Sequence, residues 1–271
     1  MALPEYERVV FANSPLRLVI AQIRFPILLR FGDSTFLAPF HEAIRSDYPH
    51  VLRENQVSVA LSPRGLQAGP GENMVRFRSR DASLSVIVSE TAITLEAGRG
   101  SDERSFGYLT AELFLDRFDR IMEAARETFG ITDRDRLGLR YVNELRYPEA
   151  ETAADWGNLL NPDFVGFPAT NLLEGKVEHA FQDVQVQRPD GILAIRHGLF
   201  TGSIVNPGSS GDSPSGRFYL LDLDYYDPRE MSLDLPATLR QLRGFNDTIY
   251  RFFRWTLGSI LYRHLEPDEN A

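Results

Sequence analysis

Charged or polar side chains stand inside three otherwise apolar stretches of this 271-residue chain, and these are its first candidates for chemistry. Arg140 and Glu144 lie in LGLRYVNELRY at 137–147, Asp222 and Asp224 in LLDLDYY at 220–226, and Gln22 and Arg24 in the apolar run 16–25. A strand shows successive side chains to opposite faces, so Arg140, Val142 and Glu144 share one face while Leu139, Tyr141, Asn143 and Leu145 share the other. The guanidinium forks of Arg24 and Arg140 suit an anionic group. The carboxylates of Asp222 and Asp224 would bind a cation or take a proton, and Asn143 would hydrogen-bond a ligand. These five residues make up the candidate ligand-binding site. A half-wet antiparallel sheet produces the same alternation with no ligand at all, through pairs of the Arg140–Asp222 kind that neutralise each other across strands. Two carboxylates on one strand face stand about 7 Å apart, and a metal needs further ligands that the sequence does not name, so metal and cofactor stay unassigned.

Other chemistries lack their residues. With Cys 0 there is no thiolate, nucleophilic or metal-binding. No GxSxG elbow and no GxxxxGK[ST] loop occurs, and Gly175-Lys176 has no glycine five residues earlier. The five histidines show no HxH or HxxxH spacing, and His41-Glu42 is followed by Arg45 where a zinc protease needs its second histidine. Gly98-Arg99-Gly100 is too short for a dinucleotide loop.

A formal net charge of −9 works against phosphate-backbone binding, so nucleic acid is not the expected partner. Of the 29 basic residues all but Lys176 are arginine; they are scattered, as GC-rich codon usage gives, and not gathered into one anion patch. No apolar run approaches the roughly 18 residues of a membrane span, and MALPEYERVV is not a secretory leader. A cytoplasmic, non-membrane protein is expected.

The elements that must position these residues come in a repeated order. Residues 1–12 read as a loosely held arm. The first half, 13–132, opens with a strand at Leu16–Phe25 and a helix from Phe36 to Tyr48 with Asp33 or Ser34 near its cap. Strands follow at Val57–Leu61, Met74–Arg78, Leu84–Ser89 and Ile93–Glu96, with turns at Pro70-Gly71 and 81–83. Its amphipathic helix, Tyr108–Phe129, carries Phe114, Phe118, Ile121, Ala125 and Phe129 on one stripe and stops at Gly130. The second half, 133–271, has a strand at Leu137–Tyr147, a short helix near Asp155–Leu160, and strands at Val177–Gln187, Ile192–Phe200 and Arg217–Tyr226. The first two of these join through Pro189-Asp190-Gly191, and 206–216 reads as a mobile loop.

The half closes with a long helix, Pro236 to about Leu265, N-capped by Asp234 and apolar nearly all round past Gly244. Such a helix is the post of a core, and its Phe245, Tyr250, Phe252, Phe253 and Trp255 serve core packing, a homo-oligomer contact or a ligand cavity beside the sheet. Asn246 and His264 read as satisfied core polar groups. Both halves therefore run strand, helix, antiparallel strands, helix. The expected fold is α+β, a duplicated unit in one compact body whose broad, mostly antiparallel sheet carries the long helices on one face.

NSPLRLVIAQIRF at 13–25, LGLRYVNEL at 137–145, and LLDLDYY at 220–226 with FNDTIYRFF at 245–253 are, in this order and spacing, similar to a sporadically distributed bacterial family of proteins of comparable length and uncharacterised function. The resemblance spans nearly the whole chain. It implies a fold and no activity. In the family's final helix a Leu-His pair often stands where this chain has Phe245-Asn246, so the resemblance carries no proton-transferring histidine to this position.

Two functions follow as expectations. One is non-enzymatic binding of a small molecule or a protein partner. The other is metal-assisted hydrolysis or transfer on an anionic small molecule through Asp222, Asp224, Arg140 and Arg24.

Overall fold

Nine antiparallel strands form one sheet in the computed structural model, which describes residues 3–32, 34–55, 58–62, 65–69, 73–101, 106–170, 177, 180–202 and 216–268. Asp33 as a cap, Val57, the Pro70-Gly71 turn, Gly175-Lys176, His179 and nearly all of the 206–216 loop lie outside the described residues. The strands are β1 (Leu16–Arg24), β2 (His50–Asn55), β3 (Asn73–Arg78), β4 (Leu84–Ser89), β5 (Ala92–Gly98), β6 (Arg136–Leu145), β7 (Ala180–Arg188), β8 (Gly191–Gly202) and β9 (Gly216–Asp227). Across the sheet they run β7-β8-β9-β6-β1-β5-β4-β3-β2. In each half the first strand lies at the centre, a helix follows, and a meander works inward from the outer edge until its last strand pairs with the first. The halves meet where β1 and β6 run antiparallel side by side. The likeness of the halves is one of strand order.

Alternation sorts the side chains. Val19, Ala21 and Ile23 of β1, Leu137 and Leu139 of β6, and Leu221, Leu223 and Tyr225 of β9 have no accessible surface, and all belong to one apolar core. The helices lie over that face: α1 (Ser34–Ile44), α2 (Ala111–Phe129), α3 (Ala153–Leu159), α4 (Pro162–Val165), α5 (Leu235–Thr256) and α6 (Ser259–His264). In α2 the Thr110 hydroxyl accepts from Leu113 N at 3.2 Å and Gly130 closes the helix at φ 69°, a left-handed conformation that costs glycine little. The predicted stripe of α2 is buried.

The closing helix departs from the expected single rod. Asp234 caps it as expected, accepting from Ala237 N at 3.0 Å, but α5 ends at Thr256 and a separate turn, α6, resumes at Ser259. Gly244 does not break it. The break is made by the segment after α3, where Asn161 donates from its backbone to Thr256 O at 2.9 Å and from Nδ2 to Trp255 O at 3.2 Å. Helix carbonyls that lack an internal partner are thereby satisfied from outside. Gly258 then donates to Leu159 O at 2.9 Å, so closely that a β-carbon there would lie 2.7 Å from the same carbonyl. Helix periodicity alone does not reveal such a contact.

The arm is docked and not loose. Val10–Phe11 pairs with Pro267–Asp268, Tyr250 OH donates to Glu7 O at 2.7 Å, and the Arg254 guanidinium lies 3.8 Å from the Tyr262 ring centre and 5.4 Å from that of Tyr6. The strand His50–Asn55 has no counterpart in the sequence reading: it is a sheet edge, with Val51 and Leu52 both exposed, and so shows no apolar-polar alternation. At the other end, buried Arg134 bonds Asp227 at 3.2 Å and Gln241 at 2.8 Å, fixing the start of α5 to the end of β9. Burial works against the Asp227 charge, yet Arg229, Gln241 and Arg134 hold its carboxyl down at about 2.

The two glycines make opposite predictions. Gly244→Ala, with nothing within 4 Å of the new carbon, stabilises the helix by roughly 0.5–1 kcal/mol. Gly258→Ala costs about 1–3 kcal/mol because rigid backbone stands in the way. Urea unfolding of both variants measures the two signs.

Candidate functional site

On the face away from the helices, the polar residues form ladders that run across the strands. Arg140 of β6 grips Asp222 of β9 with two hydrogen bonds of 2.7 Å each. Arg196 of β8 approaches the same carboxylate at 3.4 Å and Asp183 of β7 at 3.6 Å. One step along, Arg136 reaches both oxygens of Asp224 at 3.1 and 3.3 Å, and its other nitrogen donates to Gln22 Oε1 at 3.1 Å. Gln22 in turn donates to Thr94 Oγ1 on β5 at 2.9 Å. Beyond β4, Arg76 joins Glu96 at 2.6 Å to Glu54 at 3.0 Å. Diagonal neighbours on one sheet face lie about 7–8 Å apart, a span that arginine covers and shorter side chains do not.

Between these ladders lies a depression of about 350 Å³ lined by Ile20, Gln22, Arg24, Arg136, Gly138, Arg140 and Asp224. Four of the five predicted site residues meet here: Arg24, Arg140 and Asp224 line it, and Asp222 sits directly behind Arg140. Asn143 does not. It points to the helix side, buried, and donates to Leu221 O at 3.2 Å, as its odd position on β6 dictates. Sequence reasoning missed Arg136, Gly138 and Arg196. Starting the strand one residue earlier would have exposed the spacing Arg136, Gly138, Arg140 on one face. Glycine at 138 leaves room for Arg136 to lie across the sheet, since a β-carbon there would come 2.7 Å from its Nη1.

The electrostatics of the site are uneven. Asp222 is nearly sealed, with 4% of its side chain exposed, whereas Arg140 keeps 39%. Burial pulls the Arg140 guanidinium down, but hydrogen bonding and charge from Asp222 more than offset this and hold it above its ordinary value. Burial pushes the Asp224 carboxyl up against the opposite pull of Arg136 and Arg140. Arg24 is exposed at the lip and, among the described residues, makes no ion pair. Arg140 Nη1 makes no hydrogen bond to a described residue. The depression is therefore lined by three guanidiniums and one carboxylate, Asp224, which Arg136 already holds, while Asp222 is held by Arg140. Among the described residues no three His, Asp or Glu side chains gather into a set able to hold a metal ion.

The helix side is filled. Phe245 stacks on Tyr225 at 4.1 Å, Phe253 meets Phe11 edge-on at 5.9 Å, and Phe252 and Trp255 pack with Phe164. Asn246 donates to Tyr141 OH at 2.7 Å, which lies 3.0 Å from Tyr108 OH, so this asparagine is a satisfied core group as expected. His197, pushed down by burial to about 4, is neutral between Phe164 and Tyr219. His264 is not a core group: it is half-buried against Tyr147 and lines a second depression of about 580 Å³ with Arg146 and Arg217.

Comparisons of the chain with protein-family models, with curated proteins and with solved structures find no match.

The ion pair at the back of the site is open to a direct measurement. A double-mutant cycle on Arg140→Ala and Asp222→Ala gives a coupling of about 1–2 kcal/mol by urea unfolding at low salt. A coupling near zero would mean that the two-pronged pair contributes no more than a screened surface contact.

Proposed function

We propose that the protein is a non-enzymatic binding protein that holds an anionic group, carried by a small molecule or a partner protein, in the depression between β1, β6 and β9. The observation that carries this reading is that exposed Arg24, which makes no ion pair with a described residue, lines one depression with Arg140, whose Nη1 bonds no described residue, where Asp222 and Asp224 are already held by arginine. Arg24 and Arg140 supply N–H donors to the anion; Asp222 and Asp224 position arginines and contact no ligand. Apolar Ile20 is part of the lining, which favours an anion attached to a carbon body over a bare ion. Metal-assisted hydrolysis would require Asp222 to exchange the forks of Arg140 and Arg196 for a cation, and no observation favours that exchange.

A cytoplasmic location fits the lack of cysteine, and no helix among the described residues is long and apolar enough to cross a membrane. The chain is taken as a member of the bacterial family that its motifs resemble.

Titration with citrate and with inorganic phosphate at low salt, followed by calorimetry, tests the site. Arg24→Ala and Arg140→Ala each weaken binding of the preferred anion by about tenfold or more, roughly 1.4 kcal/mol upward. Binding that both variants leave intact, or a turnover that Asp222→Ala abolishes in a folded protein, contradicts the proposal.

A further inference from the structure

The sheet ends at β7, and no described residue pairs with its outer edge. This edge is long, nine residues, and its apolar side chains are unusually open: Phe181 is 54% exposed, Val184 43% and Val186 40%. Natural edge strands of this kind are blunted by charge, proline or a covering element. The opposite edge, β2, carries Arg53 and Glu54. Strand β7 has only Asp183 and Arg188, and both are engaged within the chain, Asp183 by Arg196 at 3.6 Å and Arg188 by Tyr225 OH at 2.8 Å. The stretch between them, Val184-Gln185-Val186-Gln187, bears no charge.

Its sequence also matches itself. Laid antiparallel to a second copy about a two-fold axis at Gln185, Val184 of each chain faces Val186 of the other on the helix side. Asp183 faces Gln187 on the open side, and Gln182 faces Arg188. Apolar side chains meet apolar ones, and no like charges meet. Moving the axis one residue to Val184 sets Gln182 against Val186 and loses the match. A strand of unrelated sequence would pair with the backbone alone and would not use this symmetry.

We propose that β7 is a homodimer interface in which two copies of this chain join edge to edge into one continuous sheet, with the two Gln185 side chains opposed on the axis. The inference is independent of the anion site, because Arg24 and Arg140 lie on β1 and β6, in the middle of the sheet.

Sedimentation equilibrium of the full chain at micromolar concentrations tests it. The wild type gives twice the 30.7 kDa chain mass. Gln185→Lys and Gln185→Glu, each at an exposed position, sediment alone as single chains because like charges now oppose each other. Mixed in equal amounts they regain the double mass, since lysine then faces glutamate. A wild-type mass other than twice the chain's, dimers that both variants retain, or a mixture that stays monomeric each overturn the proposal.

Discussion

A β-strand must show its side chains alternately to opposite faces, and across the central β1–β6 pair this constraint splits the molecule into two environments. Val19, Ala21, Ile23, Leu137 and Leu139 go under the helices, while Ile20, Gln22, Arg24, Arg136 and Arg140 go to the opposite side. Because β5 and β9 flank this pair in unbroken antiparallel register, the same division extends outward in both directions. A slip of one residue would carry Arg136 and Arg140 into the apolar core and Leu139 and Tyr141 out of it, a cost far greater than the stability of a whole domain. Register, core and candidate site are thus one fact seen from three sides.

The face away from the helices is dry enough at Asp222 to make charge expensive, yet leaves Arg140 partly in water. Asp222 has only 4% of its side chain exposed, and an isolated carboxylate there would cost several kcal/mol. Two arginines answer it, and their planar forks fit where lysine's point charge would not, so the near absence of lysine matters here whatever its genomic cause. Arg140 spends Nε and Nη2 on Asp222, and its Nη1 bonds no described residue. Arg24, with no acid partner among the described residues, tips the balance of the depression towards positive. It is this arrangement that we propose holds a flat, hydrogen-bonding anion.

Much of the fold was legible in the sequence because its signals are local. The stripe of α2, its stop at Gly130, the Asp234 cap and the alternation in β1, β6 and β9 each depend on neighbours within a few residues. What was not legible depends on the approach of distant segments. The break at Leu257–Gly258 is imposed by residues 159–161, and the docking of the arm is set by Tyr250, Arg254 and Pro267, none of which follows from helical periodicity. The edge strand His50–Asn55 hid because an edge has no buried face to alternate against. Four of five candidate site residues came together because parity brought them there, and Asn143 fell away by the same parity. Arg136 was lost only to a strand boundary placed one residue late, the least certain quantity in any such reading.

Adjacent residues on β1 face opposite environments, and the cysteine-free chain allows this to be read residue by residue. Single cysteines placed at Ile20→Cys and Ala21→Cys, exposed to a maleimide in native and unfolded protein, give the most direct measurement. The cysteine at 20 is expected to react in the folded protein and the one at 21 only after unfolding. Equal reaction at both positions, or protection at 20 with reaction at 21, would contradict it.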